Sequence, residues 1–197
     1  MTPPAGAPGP GTDLAPGRLL VATPMLVDPN FDHTIVLVLD VDEDGALGVV
    51  LNRPSPVPVN EVLPGWDEIL IPPHVLFQGG PVGTDSALAV AELRDGADGE
   101  DPVGFRRLFG DTGIVDLDAP TEIMAPALRR LRVFAGYAGW GGGQLEAEIE
   151  EGSWYVVPME PGDLYATDPD RLWSRVLRRQ PGELAWVSTR PVDPTLN

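Results

Sequence analysis

Apolar runs along the chain are short and sharply interrupted. Residues 1–16, MTPPAGAPGPGTDLAP, are rich in proline and glycine and poor in apolar side chains. Such a segment buries too little surface to offset the entropy of ordering, so it is expected to be a disordered tail ahead of a single domain over 17–197. GRLLVAT, from Gly17, reads as a buried strand ending at Pro24. Thr34–Asp40 and Ala46–Asn52 are dense in Val, Ile and Leu and flank the turn VDEDG. They predict a β-hairpin with Asp-Gly as its turn signal. Both arms are almost continuously apolar, which predicts cover on both faces.

Prolines punctuate Arg53–Val59, and Asn60 is the expected N-cap of a short helix, NEVLPGW, stopped or kinked by Pro64. HVLFQ (74–78) reads as a strand running into Gly79-Gly80-Pro81, and Ser86–Leu93 fits a strand or a helix, the strand being favoured because Gly-Gly-Pro precedes it. Arg94–Gly104 is a charged, glycine-rich loop, and Ile114–Leu117 a short strand. TEIMAPALRRL (121–131) places Ile123, Ala127, Leu128 and Leu131 on one helical face, with Pro126 able to split it. Val133–Tyr137 reads as a strand, Gln144–Glu151 as a helix closed by Gly152, and Trp154–Val157 as a strand. DPDRLWSRVLRRQ (168–180) is the strongest helical pattern, with arginines near the end where the dipole favours them. Residues 188–197 read as a loose tail. Strands and helices mix without βαβα alternation, which predicts an α+β fold with a mixed sheet.

Composition narrows the chemistry. The chain has no cysteine and no lysine; all thirteen basic residues are arginine, against thirty acids and a net charge of −17. This removes thiolate nucleophiles, thiolate metal sites, the P-loop lysine, Schiff bases and Ser–Lys dyads. The negative field opposes approach to nucleic acid. No apolar run approaches a membrane span, and no signal peptide is evident, so a cytoplasmic protein away from the membrane is expected.

Ordinary structural roles explain most polar motifs. The glycine turn Gly139–Gly143 lies between a predicted strand and a predicted helix, where phosphates are often cradled. Gln144 stands where a dinucleotide fingerprint needs its third glycine, and Glu146, Glu148, Glu150 and Glu151 would repel phosphate. Close packing beneath Trp140 is the better explanation. Gly79 and Gly80 form a tight turn leaving a strand, and the two glycine turns would line one pocket only if they converge. Asn52 and Arg53, at the end of a buried strand, either close backbone hydrogen bonds or face a cleft, the first being favoured. Tyr137, Trp140, Trp154 and Tyr155 could stack a ring ligand but read first as core. His33 and His74 are the only histidines. His33 with Asp32 and Asp28 is a weak metal pattern, and no metal or cofactor is expected. No serine sits in a nucleophile elbow. The acidic turn Asp40–Asp44 reads as solvated.

GRLLVATPMLVDPNF, GALGVVLNRPS, FQGGPV and LRVFAGYAGWGGGQLEAEIEEGSWYVV occur in that order and together resemble the YqgE/AlgH family from about Gly17 to the C-terminus. GYAGW-x-x-GQLE-x-E is the most specific block. The resemblance implies a bacterial α+β domain with a mixed, partly barrel-like sheet flanked by helices. Some members carry the label of transcriptional regulator, and the resemblance supplies no catalytic residue, cofactor or substrate. Relatives commonly carry histidine where this chain has Val41, and Gly-Pro-Gly where it has the triple glycine.

The expectation is therefore a non-catalytic binding or regulatory protein, its partner an unidentified protein or small molecule. A small cleft is expected near Asn52, Arg53, Gly79, Gly80 and Gln144, with Tyr137 and Trp140 nearby. A carboxylate-based hydrolase and a nucleic-acid-binding regulator are the alternatives. The second would use Arg129, Arg130 and Arg132, or Arg175, Arg178 and Arg179, each group more simply the solvated face of a helix.

Overall fold

Alternation with a period of two organises the centre of the protein. In the computed structural model, which describes residues 13–94 and 100–189, β1 (Arg18–Ala22), β2 (Ile35–Asp42) and β3 (Gly45–Val50) are neighbouring antiparallel strands. Leu19, Val21, Ile35, Leu37, Leu39 and Val49 enter one core, while Leu20, Ala22, Val36, Val38 and Val50 enter another. Because both faces are buried, the strands are apolar at consecutive positions.

Seven further strands complete the sheet: β4 (Pro54–Pro58), β5 (Val75–Gln78), β6 (Val82–Leu93), β7 (Phe105–Phe109), β8 (Thr112–Val115), β9 (Leu128–Gly141) and β10 (Trp154–Pro158). The order is β10–β1–β2–β3–β9–β6–β8–β7, with β5 joining β4 to β9. β5 runs parallel to β9 and the other ladders are antiparallel, so the sheet is mixed. β6 takes one edge of β9, and β5 and β3 share the other. The sheet curls into a half-barrel. Arg106 on terminal β7 comes within 3.9 Å of Asp40 on β2, and the Phe109 ring lies against Gly17, just ahead of β1.

Among the described residues five short α-helices flank the sheet: α1 (Val59–Val62), α2 (Thr121–Met124), α3 (Gln144–Glu150), α4 (Leu172–Arg178) and α5 (Leu184–Val187). α4 buries Leu172, Trp173, Val176 and Leu177 in the first core, at about 1.5–3 kcal/mol for each large apolar side chain. The Trp173 indole donates 3.0 Å to the Ala22 carbonyl, fixing α4 on β1. α3 covers the opposite face with Leu145. Among the described residues no helix is long and apolar enough to cross a membrane.

Several sequence expectations are corrected. Residues 121–131 are not one helix: α2 stops at Met124, a 3-10 turn holds Ala125–Ala127, and β9 starts at Leu128. Pro126 denies the helix a backbone donor, and after a register shift opposite Leu93 the strand alternates with a period of two from Arg130 onward. Leu131 and Val133 face one core, Phe134 another. Asn60 lies inside α1, where Pro58 occupies the N-cap position. The strand predicted at Ile114–Leu117 is β8, at Thr112–Val115. The predicted final helix is a 3-10 turn at Pro169–Arg171 followed by α4. The opening tail falls outside the described residues up to position 12. From Asp13 the chain is engaged, with Asp13 paired to Arg18 and Leu14 packed on the core that holds Leu20 and Val36. Within the predicted loops, 95–99 and the tail from 190 also lie outside the described residues.

Arg132 is the largest fully buried side chain, at 2% exposure. It is on a strand, not on a solvated helical face as expected. Its guanidinium lies 4.3 Å over the Phe77 ring and donates to the carbonyls of Leu164, Ala166 and Pro72. Desolvation lowers its pKa to about 10, with the neighbouring Tyr165 opposing. One cation thus ties two long loops to the half-barrel through backbone oxygens.

Candidate functional site

The ends of β3 and β5 meet the middle of β9 through backbone bonds made by Gly79. The Val50 N–H donates 2.8 Å to the Gly79 carbonyl, and the Gly79 N–H donates 2.8 Å to the Ala135 carbonyl. A Cβ at Gly79 would sit 2.2 Å from the Gly136 oxygen, and one at Gly80 would sit 2.2 Å from the Tyr137 carbonyl group. Only glycine permits this approach of two backbones. Directly beside the junction is a cleft of about 460 Å³, lined by Asn30, Arg53, Ser55, Gln78, Gly80 and Thr84 over a floor that includes Val50, Leu76 and Ala135.

Among the described residues Arg53 is the only ionisable one on that lining. Its Nη1 donates 2.8 Å to the Pro29 carbonyl and its Nη2 donates 3.1 Å to the Asp32 carbonyl. The 28–33 loop thereby holds the guanidinium at the rim. The Gln78 N–H donates 2.8 Å to the Arg53 carbonyl, which locks the start of β4 to the end of β5. No ion pair engages Arg53 among the described residues. The carboxylates of Asp28 and Asp32, on the same loop, are turned to the Asn30 N–H and the His33 ring.

Of the residues picked out from sequence, Arg53 and Gly80 line this cleft. Asn52 does not. Its Oδ1 accepts from the Ile35 N–H at 2.9 Å and its Nδ2 donates to the His33 carbonyl at 2.8 Å, closing the start of β2. Gly79 lies behind the cleft as part of its frame. The Tyr137 ring packs beside Gly83 and Gly139. The two glycine turns do not converge: Gly142 packs against the Glu43 carbonyl at the acidic turn.

Trp140 and Gln144 belong to a separate structural unit. Glu148 Oε2 accepts from the indole N–H groups of Trp140 and Trp154, each at 2.9 Å. Glu148 Oε1 accepts from Gln144 Nε2 at 3.0 Å, and Gln144 Oε1 accepts from the Gly141 N–H at 3.1 Å. Phe31 stacks on Trp140, with ring centroids 6.0 Å apart. The GYAGW-x-x-GQLE-x-E block thus encodes a carboxylate that satisfies two buried indoles and a glutamine that closes the glycine turn. Ser55, Gln78 and Thr84 were missed as cleft residues; an isolated polar side chain carries no spacing signal.

The arginine groups proposed for nucleic acid are largely committed. Arg129 and Arg130 pair with Glu92, Arg132 is buried, and Arg179 Nη1 donates 2.7 Å to the buried Asp163. Among the described residues no three His, Asp or Glu side chains are grouped as a metal would require.

The family model described as AlgH-like matches residues 19–185. A UPF0301 protein of Streptomyces coelicolor is 60% identical over 182 residues, covering 92% of this chain and 94% of that protein. A UPF0301 protein of Thermobifida fusca is 54% identical over 190 residues, with the same coverage. The crystal structure of a Corynebacterium diphtheriae protein superposes with a TM-score of 0.85 at 35% identity, over 91% of this chain and 94% of that one. The solution structure of the AlgH protein from Pseudomonas aeruginosa gives 0.65 at 26% identity, over 92% and 97%. With its half-barrel, its glycine junction and this match over most of its length, the chain belongs to the AlgH-like family.

Proposed function

We propose that the protein is a non-catalytic, cytoplasmic binding protein that takes a small molecule in the cleft beside Arg53 and Gly80. The supporting observation is the lining: polar groups converge over an apolar floor, with one cation and no carboxylate. Small-molecule sites commonly have this make-up and volumes of about 300–1,000 Å³. General acid–base or carboxylate-nucleophile hydrolysis needs an acid in reach of the substrate, and among the described residues no acid lines the cleft. His33 turns its Nδ1 to Asp32 rather than to a serine of the cleft. Direct contact with nucleic acid draws no support from arginines that are buried or paired, and the net charge of −17 weighs against it. A regulatory role remains compatible with a ligand-sensing cleft.

A thermal-stability screen against small molecules tests this reading. A ligand present at about 100 times its Kd stabilises by about 2.7 kcal/mol. The expected result is stabilisation abolished by Thr84→Trp, with the ligand recovered unchanged. Multiple-turnover conversion of the ligand, lost on Ser55→Ala, would refute it.

A further inference from the structure

We infer that the ligand of this cleft is a small organic monoanion, a carboxylic acid with an apolar tail, whose carboxylate is received by Arg53. The inference rests on the reading of the cleft as a ligand site and adds its chemical class.

A guanidinium carries five N–H donors. Arg53 spends two of them, Nη1 on the Pro29 carbonyl and Nη2 on the Asp32 carbonyl. Those bonds hold the group in place without neutralising it, because the acceptors are backbone oxygens. Nε–H and one hydrogen on each Nη remain, a planar array of the kind that meets a carboxylate in a forked pair. The preorganisation matters, since less side-chain freedom is lost on binding.

Charge sets the class. One cation and no acid on the lining match a single negative charge. A phosphate dianion is poorly served: the chain has no lysine, and no second arginine lines the cleft. The acidic character of the rest of the protein acts through screened solvent, over a Debye length of about 8 Å at physiological ionic strength. The remaining lining gives the rest of the molecule. Val50, Leu76 and Ala135 offer an apolar floor, while Ser55, Gln78 and Thr84 add neutral hydrogen-bonding groups.

The rim argues for a small molecule over an added peptide strand. β4 borders the cleft and carries Pro54, Pro56 and Pro58, and the Val57 N–H already donates 3.2 Å to Ser55 Oγ. Such an edge has few free donors for strand addition.

The test uses ¹⁵N-labelled full-length protein and a panel of small aliphatic and aromatic carboxylic acids, each with its uncharged primary amide. Titration to about 20 mM detects Kd values in the millimolar range and tighter. Acids are expected to shift the Arg53 Nε–H and Gly80 N–H resonances and to bind at least about tenfold tighter than their amides. Arg53→Gln is expected to erase that preference, and Arg53→Lys to restore part of it. Should Arg53→Gln disturb the fold, as its own spectrum would reveal, the wild-type acid-to-amide ratio alone decides. Amides that bind as tightly as acids overturn the inference and leave the cleft a ligand site. Failure of every acid and every amide to shift any cleft resonance overturns both. Inorganic phosphate shifting Arg53 Nε–H more tightly than every acid would overturn the carboxylate class.

Discussion

Replacing Glu148 with alanine should destabilise the protein although the residue lies on a short, largely solvent-facing helix. Its Oε2 accepts from two indoles whose side chains are nearly sequestered, Trp140 at 6% and Trp154 at 3% exposure. Neither N–H can readily find water instead. A hydrogen bond to a charged group contributes about 1.5–3 kcal/mol, and the half-exposed carboxylate argues for the low end, so the pair is worth about 3 kcal/mol. An opposing term exists. Glu148 sits near the C-terminal end of α3, where removing a negative charge returns about 0.3–1 kcal/mol. Hydrogen-bond loss wins, leaving a net loss of about 2 kcal/mol and a Tm drop of about 4–8 °C for a domain of this size. Urea unfolding followed by tryptophan fluorescence and circular dichroism measures it, with the exposed Glu150→Ala as a control that should stay within about 0.5 kcal/mol. A double-mutant cycle with Trp140→Phe should return a coupling of about 1 kcal/mol. If Glu148→Ala unfolds within about 0.5 kcal/mol of the parent, the indole clamp is not what the GYAGW-x-x-GQLE-x-E block encodes.

Three further outcomes follow from the same geometry. Tyr165 keeps a buried hydroxyl without a hydrogen-bond partner, and burial raises its pKa. Tyr165→Phe should therefore be neutral or stabilising at pH 7 by up to about 1 kcal/mol. The unfolded chain releases the phenol proton from about pH 10 while the folded one retains it, so this residue erodes stability as pH rises above 10. The advantage of Tyr165→Phe in melting temperature should widen there, and a loss above about 1 kcal/mol at pH 7 would contradict the assignment. Asn52→Ala removes both backbone bonds at the start of β2 and should cost about 2 kcal/mol by urea unfolding, with ligand affinity unchanged in the folded fraction. Gly79→Ala drives a Cβ to 2.2 Å from the Gly136 oxygen and should cost about 3 kcal/mol or more, seen as loss of soluble folded protein.

The central hairpin was legible because its signal is local: two β-branched runs around an acidic, glycine-ended turn, which the structure closes on Glu43-Asp44 with Gly45 paired to Asp42, both faces being buried by α3 and α4. β9 was legible only in part. Its first residues, LRRLR, carry leucines three apart, which reads as a helical face, whereas in the strand a register shift opposite Leu93 brings Leu128 and Leu131 into the same core. Pro126 marked the break but not what followed it. β4 and β7 were invisible for opposite reasons: PSPVP reads as a proline-rich loop, and FRRLF carries two arginines that β7, at the sheet edge, holds near solvent. Burial of Arg132 had no sequence signal at all, because its partners are carbonyls from loops about 30 and 60 residues away. At the site, Arg53 and Gly80 were identifiable as a polar strand end and a glycine turn. Ser55, Gln78 and Thr84 reach the same cleft only through the convergence of β4, β5 and β6, which no residue pattern announces.

The most direct test of the ligand-binding account is to equilibrate the folded protein with the small-molecule fraction of a bacterial extract and identify by mass spectrometry what it retains. The account predicts an acidic small molecule on the parent protein that is absent from Thr84→Trp, whose added ring fills the cleft. Equal retention by both proteins, or chemical conversion of the retained molecule by the parent alone, would contradict it.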